Sequence, residues 1–209
     1  MDLVREDSSG AKTVKFIYDY QRFGDKISVY MDLIIVKRHF DLIVEHCRSN
    51  YPAEAGGFLG GIGNLILGVF PVPNFAYMYF AEKDQFGVSE QDNLRANQFF
   101  EEYKMQVLGF YHSHPTSPLP VPSHQDLTAQ GMRNLYVMMV VSLADLKSTK
   151  VATYVMSGLN PIKQTLRVIK DEAINQYLLE LDREKQKLNY LKEMEKLNAR
   201  VEEIIRRAS

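Results

Sequence analysis

Between Val107 and Pro115 the chain reads Val-Leu-Gly-Phe-Tyr-His-Ser-His-Pro, an apolar run that closes on a pair of histidines and is stopped by a proline. Proline offers no N–H to a ladder, so the strand begun over Val107–Tyr111 ends at His114. Side chains alternate across a strand, which puts His112 and His114 on one face. That geometry suits a metal: catalytic zinc takes imidazole nitrogen at ~2.0–2.1 Å, uses three protein ligands and leaves a fourth position to water. Asp126 is the best third ligand, because Ser123-His124-Gln125-Asp126 opens a helix directly after the Pro-rich segment 115–122, which can return the chain to the strand end. Read alone, Ser123-x-x-Asp126 is also an ordinary capping box, and a lone His-x-His is more often surface or hydrogen-bonded histidine than a ligand pair. Together the two halves are hard to explain as coincidence.

Around this run the pattern is mixed α and β. Residues 1–12 are polar and small and read as a loose tail, the run at 14–18 reads as a strand, and Ile27–Val36 is a second β-rich run. Phe40, Ile43, Val44 and Cys47 recur at helical spacing and predict a helix over Lys37–Arg48. Pro52 breaks it. The glycines from Gly56 to Gly63, followed by Leu65–Phe70, predict two strands joined by a glycine turn, with Glu54 just ahead of the first. Pro71-Val72-Pro73-Asn74 reads as a loop, and Ser89 with Asp92 predicts the N-cap of a helix whose apolar face carries Ala96, Phe99, Phe100, Tyr103 and Val107. Beyond the histidines come a short helix over about 123–130 closed by Gly131, then strands over Tyr136–Leu143, Val151–Met156 and Thr165–Ile169. From Asp171 to Ser209 there is no Pro or Gly, and Glu, Lys, Leu and Arg predominate, which predicts one long helix. Its apolar residues keep three-and-four spacing but lose heptad register at Lys185. A coiled coil and a helix packed back on the domain both stay open, and with the former a homodimer or a partner held through this helix.

Composition narrows the rest. With 209 residues, 45% of them hydrophobic, the chain can bury one core and carry an extension. A formal net charge of -1 with interspersed signs calls for neither nucleic acid nor anionic lipid. The single cysteine excludes a disulfide framework and a cysteine-rich zinc site, fits a reducing compartment, and makes cytoplasm the expectation. Cys47 lies on the apolar face of its predicted helix and reads as a buried thiol rather than a nucleophile. The N-terminus lacks the pattern of a signal peptide, and no window reaches the ~20 apolar residues of a membrane span. His-Glu-x-x-His, Gly-x-Ser-x-Gly and Walker patterns are absent, and a deaminase site with two cysteines is impossible.

The distant glutamate, the His-x-His-Pro and the Ser-x-x-Asp together resemble the JAMM, or MPN-plus, metalloprotease signature. Pro52-Ala53-Glu54-Ala55-Gly56-Gly57-Phe58-Leu59-Gly60 resembles the glutamate-bearing segment of the prokaryotic JAB-like branch, Pro73-Asn74 its mid-chain loop, and Leu108–Pro115 its metal strand. The resemblance spans roughly residues 31 to 170. It implies a cytidine-deaminase-like α+β fold, layered α/β/α, with a curved mixed sheet flanked by helices, preceded by an extension over 1–30 and followed by the helix over 171–209. It implies zinc on His112, His114 and Asp126, Glu54 as general acid and base, and Ser123 as donor to the oxyanion. Glu54 has that role only through the resemblance; by itself it is a loop glutamate whose small neighbours allow close approach of a substrate backbone or a metal-bound water. The segment 115–122 is one residue longer than the family pattern, which bears on the placement of Ser123. His124 is turned away from Asp126 by helix geometry, and His39 and His46 are helix residues with no partner in view.

Such an enzyme cleaves amide or isopeptide bonds after the Gly-Gly tail of a ubiquitin-like protein. The insertions that grip ubiquitin chains are not obvious here, which favours a small modifier or a sulfur-carrier protein as substrate. The competing expectation is a catalytically silent MPN-type scaffold, and the intact set of Glu54, His112, His114, Ser123 and Asp126 argues against it.

Overall fold

Val137 to Ser142 reads Val-Met-Met-Val-Val-Ser, and every residue of it is buried. A strand buried on both faces has to run inside a sheet covered by layers on both sides. The structure, a computed structural model, has that arrangement. It describes residues 4–6, 12–14, 32–133, 136–157 and 159–176, and after them residues 178–179, 183, 186, 191–192, 194–196 and 199.

The elements in chain order are β1 (Val4–Glu6), β2 (Lys12–Val14), β3 (Leu33–Val36), α1 (Lys37–Ser49), β4 (Gly56–Ile62), β5 (Leu65–Val72), α2 (Phe75–Phe80), α3 (Glu90–Glu102), β6 (Gln106–His114), α4 (His124–Arg133), β7 (Val137–Ser142), β8 (Lys150–Ser157), β9 (Asn160–Gln164) and β10 (Leu166–Ile169). Eight strands form one mixed sheet in the order β10-β3-β5-β4-β6-β7-β8-β9. It is curved and flanked by helices, the expected α+β class. The pairs β10/β3, β3/β5 and β6/β7 are parallel and the others antiparallel.

The period-two alternation divides the core. Val137, Met139 and Val141 join Ile43 and Cys47 of α1 on one face, whereas Met138 and Val140 join Phe110 and, from α4, Leu127 on the other. On that second face Ala96 and Phe100 of α3 cover Phe58 and Val72. His112 and His114 share the parity of Phe110, so the strand delivers both imidazoles to the α3/α4 side. The turn between β4 and β5 carries Gly63 at φ +59, a left-handed conformation that glycine adopts without steric cost.

Several elements differ from expectation. β5 continues through Pro71 to Val72 where a loop was expected. The proline is tolerated because β3 pairs with β5 only at Leu65 and Ile66, leaving the outer side of Pro71 free of a ladder. α2 follows at once. Its Phe-Ala-Tyr-Met-Tyr-Phe sequence is apolar throughout and shows no helical period, but Asn74 caps it and Ala81, at φ 56, closes it. α4 runs past Gly131 to Arg133. β9 escaped notice because Pro161 lies in it, and β9 is the edge strand, where proline is allowed.

At the N-terminus, the tail expected over 1–12 contains β1, paired antiparallel with β2 so that Glu6 lies opposite Lys12. Local cross-strand pairing of this kind is invisible to a reading based on polarity. Beyond Val14 the strand expected at 14–18, and the portion of the second β run before residue 32, lie outside the described residues. The C-terminal helix starts as a 3-10 turn over Asp171–Ala173, and the described positions from Ile174 to Ala199 are helical. Residues 200–209 and several of the apolar positions, Leu181, Leu188 and Leu197 among them, lie outside the described residues. No helix among the described residues is long and apolar enough to cross a membrane.

Candidate metal centre

β6 ends with His112 fully buried and His114 nearly so, their Nε2 atoms 3.0 Å apart. Asp126 meets both: Oδ1 lies 3.1 Å from His112 Nε2 and Oδ2 lies 3.2 Å from His114 Nε2. The return loop that delivers Asp126 is stapled to the neighbouring strands. Ser142 Oγ donates to the carbonyl of Ser117, Lys150 Nζ to that of Pro118 and Tyr154 Oη to that of Pro120. These contacts absorb the longer 115–122 segment, and Ser123 still begins α4. Its backbone N–H donates to Asp126 Oδ2 at 2.6 Å, and its Oγ accepts the N–H of Asp126 at 3.2 Å. The expected capping box and the expected ligand are therefore the same carboxylate.

Two imidazoles and a carboxylate are a donor set that zinc accepts. The two Nε2 atoms stand 3.0 Å apart and each meets a different oxygen of Asp126; with one ligand atom taken from each residue, the three atoms lie within 4.8 Å of one another. This is the one His/Cys/Asp/Glu group of that compactness among the described residues. The electrostatics agree. Burial pushes the Asp126 carboxyl up, but hydrogen bonds from His112, His114 and the Ser123 N–H outweigh it and hold the group well below the usual carboxylate range. For His114 burial favours the neutral ring, yet hydrogen bonding and charge from Asp126, with the charge of Glu54, raise its pKa. His112 Nδ1 has no hydrogen-bond partner among the described residues.

Glu54 is anchored through the backbone around it. Its N–H donates to the carbonyl of Lys83 at 2.9 Å, and its own carbonyl accepts Asn74 Nδ2 at 2.9 Å. The next residue exchanges bonds with β6: the Ala55 N–H donates to Ser113 Oγ and the Ser113 N–H donates to the Ala55 carbonyl. Glu54 thereby stands on the same side of the sheet end as the histidines, with its side chain buried. Burial raises its carboxyl to about 8, with the charges of Asp126 and Asp84 pushing the same way and His114 pulling it down. Glu54, Ser123 and the three candidate ligands line one cleft of about 450 Å³.

The opposite wall was missed. Asp84, Gln85 and Phe86, from the segment between α2 and α3, line the cleft, and Gln125 Nε2 reaches Gln85 Oε1 across it at 3.3 Å. Phe86 also changes the meaning of the small residues beside Glu54. A Cβ on Gly56 would lie 2.6 Å from the Phe86 ring and 2.5 Å from the Tyr111 carbonyl, so that space is filled by the protein's own side chain rather than left to substrate. His124 lines the cleft but stands outside the three-residue group. His46, for which no partner was in view, bonds the buried Tyr111 hydroxyl through Nδ1 at 2.9 Å, whereas His39 Nε2 has no hydrogen-bond partner among the described residues. One signal for the missed wall was present: an Asn ahead of an apolar run, as at Asn74, is itself an N-cap mark.

Residues 36–156 match the family model of prokaryotic homologs of the JAB domain. A desampylase of Pyrococcus furiosus is 28% identical over 108 residues, which are 52% of this chain and 72% of that protein. Among solved structures, a protein from Desulfitobacterium hafniense determined in solution aligns with a TM-score of 0.55 at 21% identity, covering 66% of this chain and 94% of that one.

Proposed function

This chain belongs to the prokaryotic JAB-domain family, and we propose that it is a JAMM-type zinc isopeptidase, cleaving the amide bond that follows the C-terminal tail of a ubiquitin-like or sulfur-carrier protein. The observation that carries this reading is the convergence of His112 Nε2, His114 Nε2 and the Asp126 carboxylate in the cleft that also holds the buried Glu54. The desampylase relative supports a ubiquitin-like substrate. Residues 31–170 form the enzyme domain on this reading, with 1–30 and 171–209 as extensions.

His112, His114 and Asp126 would hold the metal, which when bound supplies a Lewis acid for the scissile carbonyl and acidifies water towards a pKa of ~7. Glu54 would take a proton from an attacking water and deliver it to the leaving amine. Its burial serves this exchange, since a carboxyl raised to about 8 keeps a proton near neutrality, and a cation among the neighbouring ligands draws it back into the range of a base. Ser123 accepts the Asp126 N–H on its oxygen, which leaves its own O–H proton to donate to the oxyanion of the tetrahedral intermediate.

Zinc measured by mass spectrometry in wild type and Asp126→Ala is the direct test. About one zinc per chain, lost in the variant, supports the site. Activity is then read on a Gly-Gly-terminated ubiquitin-like protein joined to a lysine peptide, against Glu54→Gln. Carefully prepared wild type without zinc would overturn the reading and favour the scaffold.

A further inference from the structure

We propose that Asn74 is a positioning residue of this centre, holding Glu54 and the cleft wall over residues 83–87 as a single body. The inference rests on the reading of Glu54 as the general acid and base.

Asn74 uses its whole hydrogen-bonding capacity. Nδ2 donates to the carbonyls of Glu54 at 2.9 Å and Gln85 at 2.7 Å, and Oδ1 accepts the N–H groups of Gly87 at 3.1 Å and Tyr77 at 3.3 Å. An Asn that served only to cap α2 would need the bond to Tyr77 alone, and that is the longest of the four. The other three go to the glutamate and to the wall facing it. Two backbone bonds complete the frame: Glu54 N–H to the Lys83 carbonyl and Phe75 N–H to the Gly87 carbonyl, each 2.9 Å. Glu54 is thus tied to the wall through its own N–H and through the amide of Asn74, which reaches Glu54 and Gln85 from one nitrogen. Asn74 does not line the cleft.

The chemistry makes such a frame matter. A general base acts only within ~2.6–3.2 Å of the proton it moves, and a ~1 Å misplacement costs on the order of 100-fold in rate. Only a side-chain amide serves all four partners. Aspartate has the same shape and keeps an acceptor for Tyr77 and Gly87, but it has no donor for the two carbonyls. Serine keeps a capping oxygen, carries no charge and is too short to bridge both.

The test uses full-length Asn74→Asp and Asn74→Ser beside wild type. The first readout is amide hydrogen exchange on the zinc-free proteins. Exchange should rise over residues 53–56 and 83–87 while α2, whose cap is kept, stays as protected as in wild type. The second readout is turnover of the Gly-Gly-linked lysine substrate by the zinc-loaded proteins, where kcat should fall ~10–100-fold with zinc content unchanged. Unaltered exchange at residues 53–56 overturns the proposal, and so does a rise spread equally over α2, which would mark a merely structural role. Wild-type turnover matched by both variants overturns it as well. If wild type itself turns over nothing, the functional reading fails and the exchange pattern alone decides whether Asn74 holds the frame.

Discussion

Ser123 and Asp126 cap one another: the carboxylate accepts the serine N–H at 2.6 Å and the serine Oγ accepts the aspartate N–H at 3.2 Å. The same carboxylate lies 3.1 and 3.2 Å from the two histidine Nε2 atoms. One residue therefore both starts α4 and completes the donor set, and the two duties can be separated. Asp126→Asn keeps an oxygen for the cap but loses the negative charge that a cation requires. We expect α4 and the fold to survive, with zinc affinity reduced by more than ~100-fold. Competition with a chelator of known affinity measures this, and wild-type affinity in the variant would remove Asp126 from the ligand set.

Glu54 makes the zinc-free protein sensitive to pH. Its carboxyl rises from an ordinary 4.5 to about 8 on folding, so over that window the unfolded chain ionises first and folding has to retain a proton. The contribution to stability is fully present below about 4.5 and is lost as pH rises through 8. Between pH 5 and 7.5 the loss is on the order of 3 kcal/mol. Glu54→Gln removes it. Urea unfolding of both proteins in chelator should diverge in the wild type's disfavour as pH rises; parallel curves would mean that Glu54 is not buried as an acid.

The proximities within the cluster that sequence makes legible are those encoded locally. Alternation along β6 fixes the relation of His112 to His114, and proline followed by a helix start fixes the return to Asp126. Nothing local relates Glu54 to these residues: it enters through the pairing of β4 with β6, where Gly56 faces His112 in register. The Phe86 wall and the Tyr111–His46 bond depend on chain segments that meet only in the folded state, the latter 65 residues apart. α2 was missed for a different reason. Periodicity detects a helix with one polar face, and Tyr77, Met78, Tyr79 and Phe80 are apolar yet exposed.

Gly56 should be intolerant of a side chain. Its Cβ would meet both the Phe86 ring and the Tyr111 carbonyl inside contact distance, and the carbonyl belongs to a paired strand that cannot yield cheaply. Gly56→Ala should cost ~1–3 kcal/mol. Phe86→Ala relieves only the ring, so the double variant should be less destabilised than the sum of the single ones. Chemical denaturation of the three variants measures the coupling, and strict additivity would mean that Phe86 does not lie over Gly56.

Cys47 separates metal chemistry from cysteine chemistry. The thiol is fully buried on α1, and burial pushes it up to about 12 despite a hydrogen bond with Ser113 that acts the other way. The thiolate is the reactive form of cysteine, so at neutral pH the native protein should resist iodoacetamide for as long as it stays folded and react fully in urea. Cys47→Ala leaves the candidate ligands and Glu54 untouched. It should bind zinc as wild type does and lose only ~1–2 kcal/mol of stability from the small cavity. Rapid alkylation of the native thiol, accompanied by loss of turnover, would instead place Cys47 in the chemistry. Its position beside Ser113, the residue that clasps Ala55 next to Glu54, argues for packing: the thiol fills the space behind the clasp, on the face of β6 away from the histidines.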